Sequence, residues 1–425
     1  MSLLKKVQRH PLWKDVSNED WTNWKWQQRN TIRKPEQLLH FGYTKKNIKD
    51  IQEVTQIFRM RVTPYFASLV QDKKGPIGLQ TFPQKEELIR KPDQYADPLS
   101  EDFFRPYKVR NKFVRPGTEE ERLELELDKA MFPEEVKRVD TIIHKYDNRV
   151  LFYTTANCAM TCRHCTRKRL VNDTSTQPNI KEDNKGVALG MEYIASNPEI
   201  IDVILSGGDV LSYSNQNIDY LLGKLDEINH VQIKRLGTRN LVTLPYRVDD
   251  GLAEVISNYV GLTPEGKPKS VRINTHFNHP EEITYEAAEA VMKLKATGAS
   301  IGNQAVLLKG VNDIPETMKN LYSILASLGI DPYYLYQCDK NFGNEHFRTP
   351  LEVGLNIMDA LTTHTSGVAT PHFIKDLEGG HGKVHLPGAI KGIRDGGDGT
   401  KIYDIQTTGA AYTLQPQIIE YKDIQ

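Results

Sequence analysis

From residue 149 onward the chain alternates two periodicities. Short apolar runs rich in β-branched and aromatic residues predict strands over 149–156, 201–206, 231–237, 270–277, 300–308, 332–337 and 368–374. Between them, apolar residues recur every three or four positions, which predicts helices near 183–197, 215–228, 249–260, 281–298, 314–328 and 352–363. Strand and helix in strict alternation with short links are the pattern of βα units around a parallel sheet. At least six such units in one uninterrupted run predict a partial, TIM-like (β/α) barrel over 136–385.

The flanks read differently. All four tryptophans, Trp13, Trp21, Trp24 and Trp26, lie near the N-terminus. Asn18 followed by Glu19 and Asp20 marks a helix start, with a capping residue and acids in the first turn. Residues 1–135 are expected to form an N-terminal helical region that packs its aromatics on the barrel, or an arm that clasps another subunit. The Pro-rich stretch 83–106 reads as loop. The segment 117–138 is read as helix from its Glu, Leu and Lys, although Leu123, Leu125 and Leu127 alternate like a strand. Residues 386–425 are expected to close the C-terminal side.

Composition narrows the chemistry. The 425 residues carry 55 Lys plus Arg and 55 Asp plus Glu. That balance removes the electrostatic argument for nucleic acid as a partner. No apolar run approaches a membrane span, and the N-terminal stretch lacks the apolar core of a signal peptide, so a cytoplasmic protein is expected. Only four cysteines occur, and Cys158, Cys162 and Cys165 fall within eight residues. A disulfide framework would spread its cysteines. The spacing C-x3-C-x2-C suits three irons of a [4Fe-4S] cluster whose fourth iron stays open to a small molecule. The competing readings are a zinc ion, with His164 as a strained fourth ligand, and three free thiols.

The C-x3-C-x2-C run after the first barrel strand resembles the radical S-adenosylmethionine (SAM) enzymes. Further strings narrow the resemblance to the lysine 2,3-aminomutases. They are Cys162-Arg-His-Cys165-Thr-Arg167, Ser206-Gly207-Gly208-Asp209, Gly237-Thr-Arg239, Asn274-Thr-His276, Gly302-Asn-Gln304, Tyr336-Gln-Cys-Asp339 and His364-Thr-Ser-Gly367. The resemblance runs from near Trp13 to about residue 387. It implies that Cys158, Cys162 and Cys165 hold the cluster, and that Ser206, Gly207, Gly208 and Asp209, with His276 and Gln304, surround SAM. It also implies a pyridoxal phosphate (PLP) Schiff base on Lys383, which closes the glycine-rich Gly379-Gly-His-Gly, with Tyr146, Arg149 and Lys145 around the PLP. Lys145 stands where the family usually has arginine, so a phosphate contact there keeps its charge and loses the fork. Arg167 matches the arginine that grips the substrate α-carboxylate, for which a guanidinium fork is suited.

The implied reaction exchanges an α-amino group with a β-hydrogen, through a 5′-deoxyadenosyl radical. The implied partners are a small amino acid, an electron donor of flavodoxin or ferredoxin type, and further copies of the chain in a homo-oligomer. In the family, two aspartates bind the distal ammonium of lysine, and Asp339 and Asp376 match both, which favours L-lysine and disfavours glutamate; arginine, ornithine or glutamate on the same scaffold is the alternative, with Glu378 as a third carboxylate for a larger basic tail or a residue facing solvent. A non-catalytic iron–sulfur protein would need neither the PLP lysine nor the SAM motif. Independently of the family, Cys158, Ser206, Gly207, Gly208, Asp209, Arg239, His276, Gln304, Asp339 and Asp376 all fall at or just past the C-terminal ends of predicted strands, where βα barrels carry their sites. This chain departs from the family at Leu377, Glu378 and His381, and at Lys340 beside Asp339. It has no cysteine after Cys338, so the structural zinc of some relatives is not expected.

Overall fold

The computed structural model describes residues 4–115, 117, 119–173, 185–409 and 415–424. In chain order its strands are β1 (Tyr107–Val109), β2 (Lys112–Val114), β3 (Val136–Arg138), β4 (Ile142–Tyr146), β5 (Arg149–Thr155), β6 (Asp202–Gly207), β7 (Ile233–Gly237), β8 (Gly261–Leu262), β9 (Pro268–Thr275), β10 (Ser300–Leu307), β11 (Asp331–Gln337), β12 (His372–Leu377), β13 (Gly382–His385), β14 (Ile390–Asp395), β15 (Lys401–Gln406) and β16 (Ile418–Lys422). The main sheet runs β13-β12-β11-β10-β9-β7-β6-β5-β4, with β8 on the side of β9. Strands β5 to β12 pair parallel along this path, and β4 and β13 add one antiparallel strand at each edge. The result is a barrel left open between β4 and β13.

All seven predicted strands form. The two edge strands were not legible, because each is short and belongs to a hairpin rather than a βα unit. In β6 the alternation shows how the barrel is built: Val203 and Leu205 are fully buried in the core, while Asp202, Ile204 and Ser206 line the interior cavity. The helix Leu351–His364 lies so close to β12 that a Cβ on Gly354 would come within 2.1 Å of the Phe373 ring.

Several local expectations shift. The helix cap is Ser17, which accepts from the Asp20 amide, and Asn18 is the first helical residue. The helix expected over 117–138 is Glu119–Met131; Pro133 then starts a 3-10 turn that leads into β3. The stretch 83–106 contains two 3-10 helices, Lys85–Leu88 and Glu101–Phe104. The last barrel strand starts at His372, after a 3-10 turn at Gly367–Ala369. The helix expected from 183 is Lys185–Ala195, with 183–184 outside the described residues. The region before β4 is not purely helical, since β1 pairs with both β2 and β3. No helix among the described residues is long and apolar enough to cross a membrane.

The N-terminal region grips the cysteine loop. Trp13 and Trp21 join the core of the barrel. The Thr161 amide donates to the Arg61 carbonyl at 2.8 Å, and the Arg163 amide to the Gln80 carbonyl at 3.0 Å. Glu87 takes Arg163 Nε at 2.9 Å and NH2 at 2.6 Å, and Lys168 Nζ at 3.1 Å, with all three side chains sealed from solvent. Burial works to raise the Glu87 pKa, yet the two cations bring it down to about 2. Breaking a buried network by removing one partner typically costs about 3–5 kcal/mol. We therefore expect Glu87→Ala to lower the unfolding free energy by roughly that amount, read by denaturant titration. No change in stability would contradict the clamp.

Candidate active site

The barrel encloses a cavity of about 520 Å³. Its lining comes from both ends of the same strands: Arg149 starts β5 and Cys158 follows it, and Asp202 and Gly207 are the first and last residues of β6. The cavity therefore runs along the strands. Gln304, expected at the end of its strand, lies within β10, and Lys145, Tyr146 and Arg149, from the end of β4 and the start of β5, line the cavity at the end away from the cysteine loop.

Cys158, Cys162 and Cys165 all line this cavity as free thiols. Burial pushes the Cys165 thiol up to about 11, with Cys162 adding to it, and burial also raises Cys158 well above the ordinary thiol value. Half-buried thiols set this close in the chain are held together as thiolates when metal charge compensates them. Among the described residues no three His, Cys, Asp or Glu converge where a single ion would sit. Cys338 lies in a separate apolar group with Leu308, Val311 and Phe347. His164 stacks on His276, with ring centres 5.2 Å apart and Nε2 atoms 3.1 Å apart, and burial holds both imidazoles neutral. Arg239 donates NH1 to Cys162 Sγ at 2.9 Å and NH2 to Gln80 and Glu282 at 2.7 and 2.8 Å.

Ser206, Gly207 and Gly208 follow the cysteine-bearing loop closely. A Cβ on Gly207 would come within 2.5 Å of the Thr155 carbonyl, and one on Gly208 within 2.4 Å of the Asn157 carbonyl. Gly207 also has φ +105°. The glycines are thus required by the packing of β6 on the loop, and not only by an approaching ligand. Asp209 accepts from the Leu211 amide at 3.0 Å, Thr238 Oγ1 at 2.7 Å and the Arg239 amide at 2.7 Å. It fastens the loop after β6 to the loop after β7, and burial raises it to about 6. Gln304 lines the cavity beside Val306.

Lys383 sits on β13, opposite Asp376 of β12. Gly379, Gly380 and Gly382 all have positive φ, so this glycine run is a tight hairpin connection and not a flexible loop. The Lys383 amide donates to Tyr146 Oη at 3.1 Å, and its ammonium lies 5.5 and 5.8 Å from the centres of the Tyr336 and Tyr334 rings. The Arg149 guanidinium stacks 4.0 Å from the Tyr146 ring centre. Lys145 reaches across the open seam to Asp376, Nζ to Oδ1 3.1 Å.

The two ends expected to hold substrate are both occupied by protein groups. Arg167 donates Nε to Glu101 at 2.8 Å and NH2 to the same carboxylate. Asp339 accepts from Thr166 Oγ1 at 2.7 Å and lies 3.9 Å from the ammonium of Lys375, which is fully buried. Asp376 holds Lys145; burial opposes its charge, but Lys145 and Lys383 keep it below the usual carboxylate range. The family departures are absorbed locally. Leu377 is core, Glu378 pairs with Lys375 at 2.7 Å, and His381 meets Gln417 at 3.2 Å. Lys340 donates to the Lys422 carbonyl at 3.1 Å, on the C-terminal strand β16.

Sequence reasoning did not single out Glu101, Lys375 or Tyr334; it quoted Thr166 and Tyr336 only within motifs, and placed Arg239 among the residues at strand ends without giving it a role. Thr166 carried a signal in its place between Cys165 and Arg167. Glu101 carried none, since it lies in a stretch that reads as loop.

No family model matches the chain. It is 39% identical over 372 residues to the L-lysine 2,3-aminomutase of Methanococcus maripaludis, covering 86% of this chain and 76% of that one. It is 37% identical over 379 residues to that of Clostridium subterminale, covering 88% and 80%. It is 35% identical over 373 residues to the glutamate 2,3-aminomutase of Clostridioides difficile, covering 87% and 78%. Among solved structures, Streptococcus suis SuiB bound to S-adenosylmethionine aligns with 61% of this chain and 56% of that one at TM-score 0.39 and 14% identity, a likeness too partial to add to the strand order. Similarity of this level over most of both chains places the protein in the lysine 2,3-aminomutase family of radical SAM enzymes.

Proposed function

We propose that the chain is a SAM- and PLP-dependent 2,3-aminomutase that converts L-lysine to L-β-lysine. The observation that carries this reading is the meeting, in one cavity, of three unpaired thiols and a lysine ammonium set against two tyrosine rings. When bound, the cluster with SAM supplies a carbon radical that takes hydrogen from an unactivated carbon, and PLP supplies the imine across which nitrogen moves. Cys158, Cys162 and Cys165 would hold the cluster, and Lys383 would hold PLP, with Arg149 and Tyr146 beside it. SAM would lie against Ser206, Gly207 and Gly208, with His276 and Gln304 further along the cavity and Asp209 fixing the loop. A one-electron donor of flavodoxin or ferredoxin type belongs to the same reading.

The protein's own part is positioning. Arg167 would hold the α-carboxylate at one end while Asp339 and Asp376 hold the tail at the other, which limits the carbon that faces the radical. The tail end favours a basic side chain, because Asp339 meets only a hydroxyl at 2.7 Å and, at 3.9 Å, the Lys375 ammonium that Glu378 already holds at 2.7 Å.

Reconstituted, reduced protein offered lysine, arginine, ornithine and glutamate separately under anaerobic conditions should form a β-amino acid from lysine, read by mass spectrometry. Turnover of glutamate alone would contradict the tail assignment. Lys383→Ala should lose the absorbance of bound PLP and all turnover. Arg167→Gln should reduce kcat/KM by about 2–5 kcal/mol, the usual cost of truncating a buried charge pair. Burial raises Asp339 to about 6 against the pull of Lys375 and Thr166. Below that pH it takes up a proton and loses its attraction for a cation. We expect kcat/KM for lysine to fall as pH drops through about 6, and that limb to disappear in Asp339→Asn.

A further inference from the structure

The fork of Arg167 is already filled. A guanidinium presents one Nε/NH2 edge that matches a carboxylate bidentately, and here Glu101 takes both nitrogens of that edge. Both side chains line or border the cavity, with only 22% of Arg167 and 14% of Glu101 exposed. A second carboxylate cannot bind the same edge, and two carboxylates forced together in a buried site repel.

Glu101 sits on a strap that is fastened near the pocket at three places. Its 3-10 helix, Glu101–Phe104, begins after Ser100, a non-glycine residue at φ +52°. On one side the Tyr95 amide donates to the Lys340 carbonyl at 3.0 Å, next to Asp339. In the middle, the Pro98 carbonyl accepts from the Gly379 amide at 3.2 Å, in the turn that leads to Lys383. On the other side the Phe104 ring packs against Gly380, and the Lys145 ammonium lies 5.6 Å from its centre.

We propose that Glu101 holds the seat of the substrate α-carboxylate, and that an incoming amino acid exchanges its carboxylate for that of Glu101 at Arg167 and so releases the strap over 97–104. The inference rests on the reading of Arg167 as the carboxylate anchor. Glu101 is then a positioning residue that acts through Arg167. Its occupancy lowers the apparent affinity of every ligand by the fraction of time the fork is filled. Only a ligand bearing a carboxylate can reclaim the fork, so an amine of the same length leaves the strap shut. The device therefore selects for the head of the substrate, independently of its tail. Arg105 and Lys145 are the neighbouring cations that accompany the displaced Glu101 carboxylate.

The test uses the PLP-loaded enzyme and the absorbance change of bound PLP as the binding signal. Lysine and arginine are compared with their decarboxylated counterparts, 1,5-diaminopentane and agmatine. In Glu101→Gln, the amino acids should bind roughly tenfold tighter while the amines change by less than about twofold. In the unaltered enzyme, amino acids should speed hydrogen exchange over 97–104 and the amines should not. Unchanged or weaker amino-acid binding in Glu101→Gln would show that Glu101 orients Arg167 instead of competing for it, and would overturn the proposal. If that variant does not fold, the exchange experiment on the unaltered enzyme decides: amino-acid binding with no change over 97–104 overturns the strap alone. No absorbance change with any amino acid overturns the anchor reading and the strap together.

Discussion

The site depends on a barrel that does not close. Strands β4 and β13 are the free edges of the main sheet, and both run antiparallel to their neighbours. What crosses the seam is polar: Lys145 of β4 to Asp376 of β12, and the Lys383 amide of β13 to Tyr146 Oη of β4, each at 3.1 Å. A ladder across this seam would bring the edges to ordinary strand spacing, about 4.8 Å, and remove the room inside. Left open, the seam sets Lys383 on a short, rigid hairpin at the wall of a cavity that also reaches the three cysteines. The chain can thus place an amine and three thiols in one chamber, the amine on the edge strand β13 and the thiols after β5, one strand in from the other edge.

The second constraint is charge. Most of the ionisable groups around the chamber are paired before any ligand arrives. Glu87 neutralises Arg163 and Lys168 behind the cysteine loop, Glu282 takes Arg239 beside Cys162, and Glu101 takes Arg167. Asp339 is the weakest-served carboxylate, with a hydroxyl at 2.7 Å and its ammonium at 3.9 Å. The N-terminal region supplies Gln80, Glu87 and Glu101 to these pairs, so it works as part of the site's wall, whatever else it does in an assembly. The C-terminal strands back the tail end, where the Tyr421 ring lies 4.4 Å from Lys340 Nζ and 5.7 Å from Lys375 Nζ.

The parts of this arrangement that were legible in the sequence are those written in short-range pattern. The parallel strands announce themselves because each is a short run rich in apolar and β-branched residues that is followed by a helical period. The cysteines announce themselves by spacing. The edge strands β4 and β13 escaped because five and four residues in a hairpin give no period to read. Glu101 and Lys375 escaped for another reason: their meaning lies in partners 66 residues away for Glu101 and 36 for the contact of Lys375 with Asp339, and a lone charge carries no sign of its partner. Asp209 was found as a residue but read as a ligand contact; its three internal hydrogen bonds show that it also locks the loops.

The central claim is that one chamber serves both the cluster and the Lys383-bound cofactor on a single amino acid. The most direct measurement follows the hydrogen. Lysine deuterated at carbon 3 would be given to the reduced, SAM- and PLP-loaded enzyme under anaerobic conditions, and the product examined by mass spectrometry and NMR. The account predicts β-lysine with nitrogen on carbon 3 and deuterium carried to carbon 2. Cleavage of SAM without any β-amino acid, from an enzyme carrying its full complement of cluster and PLP, would contradict it.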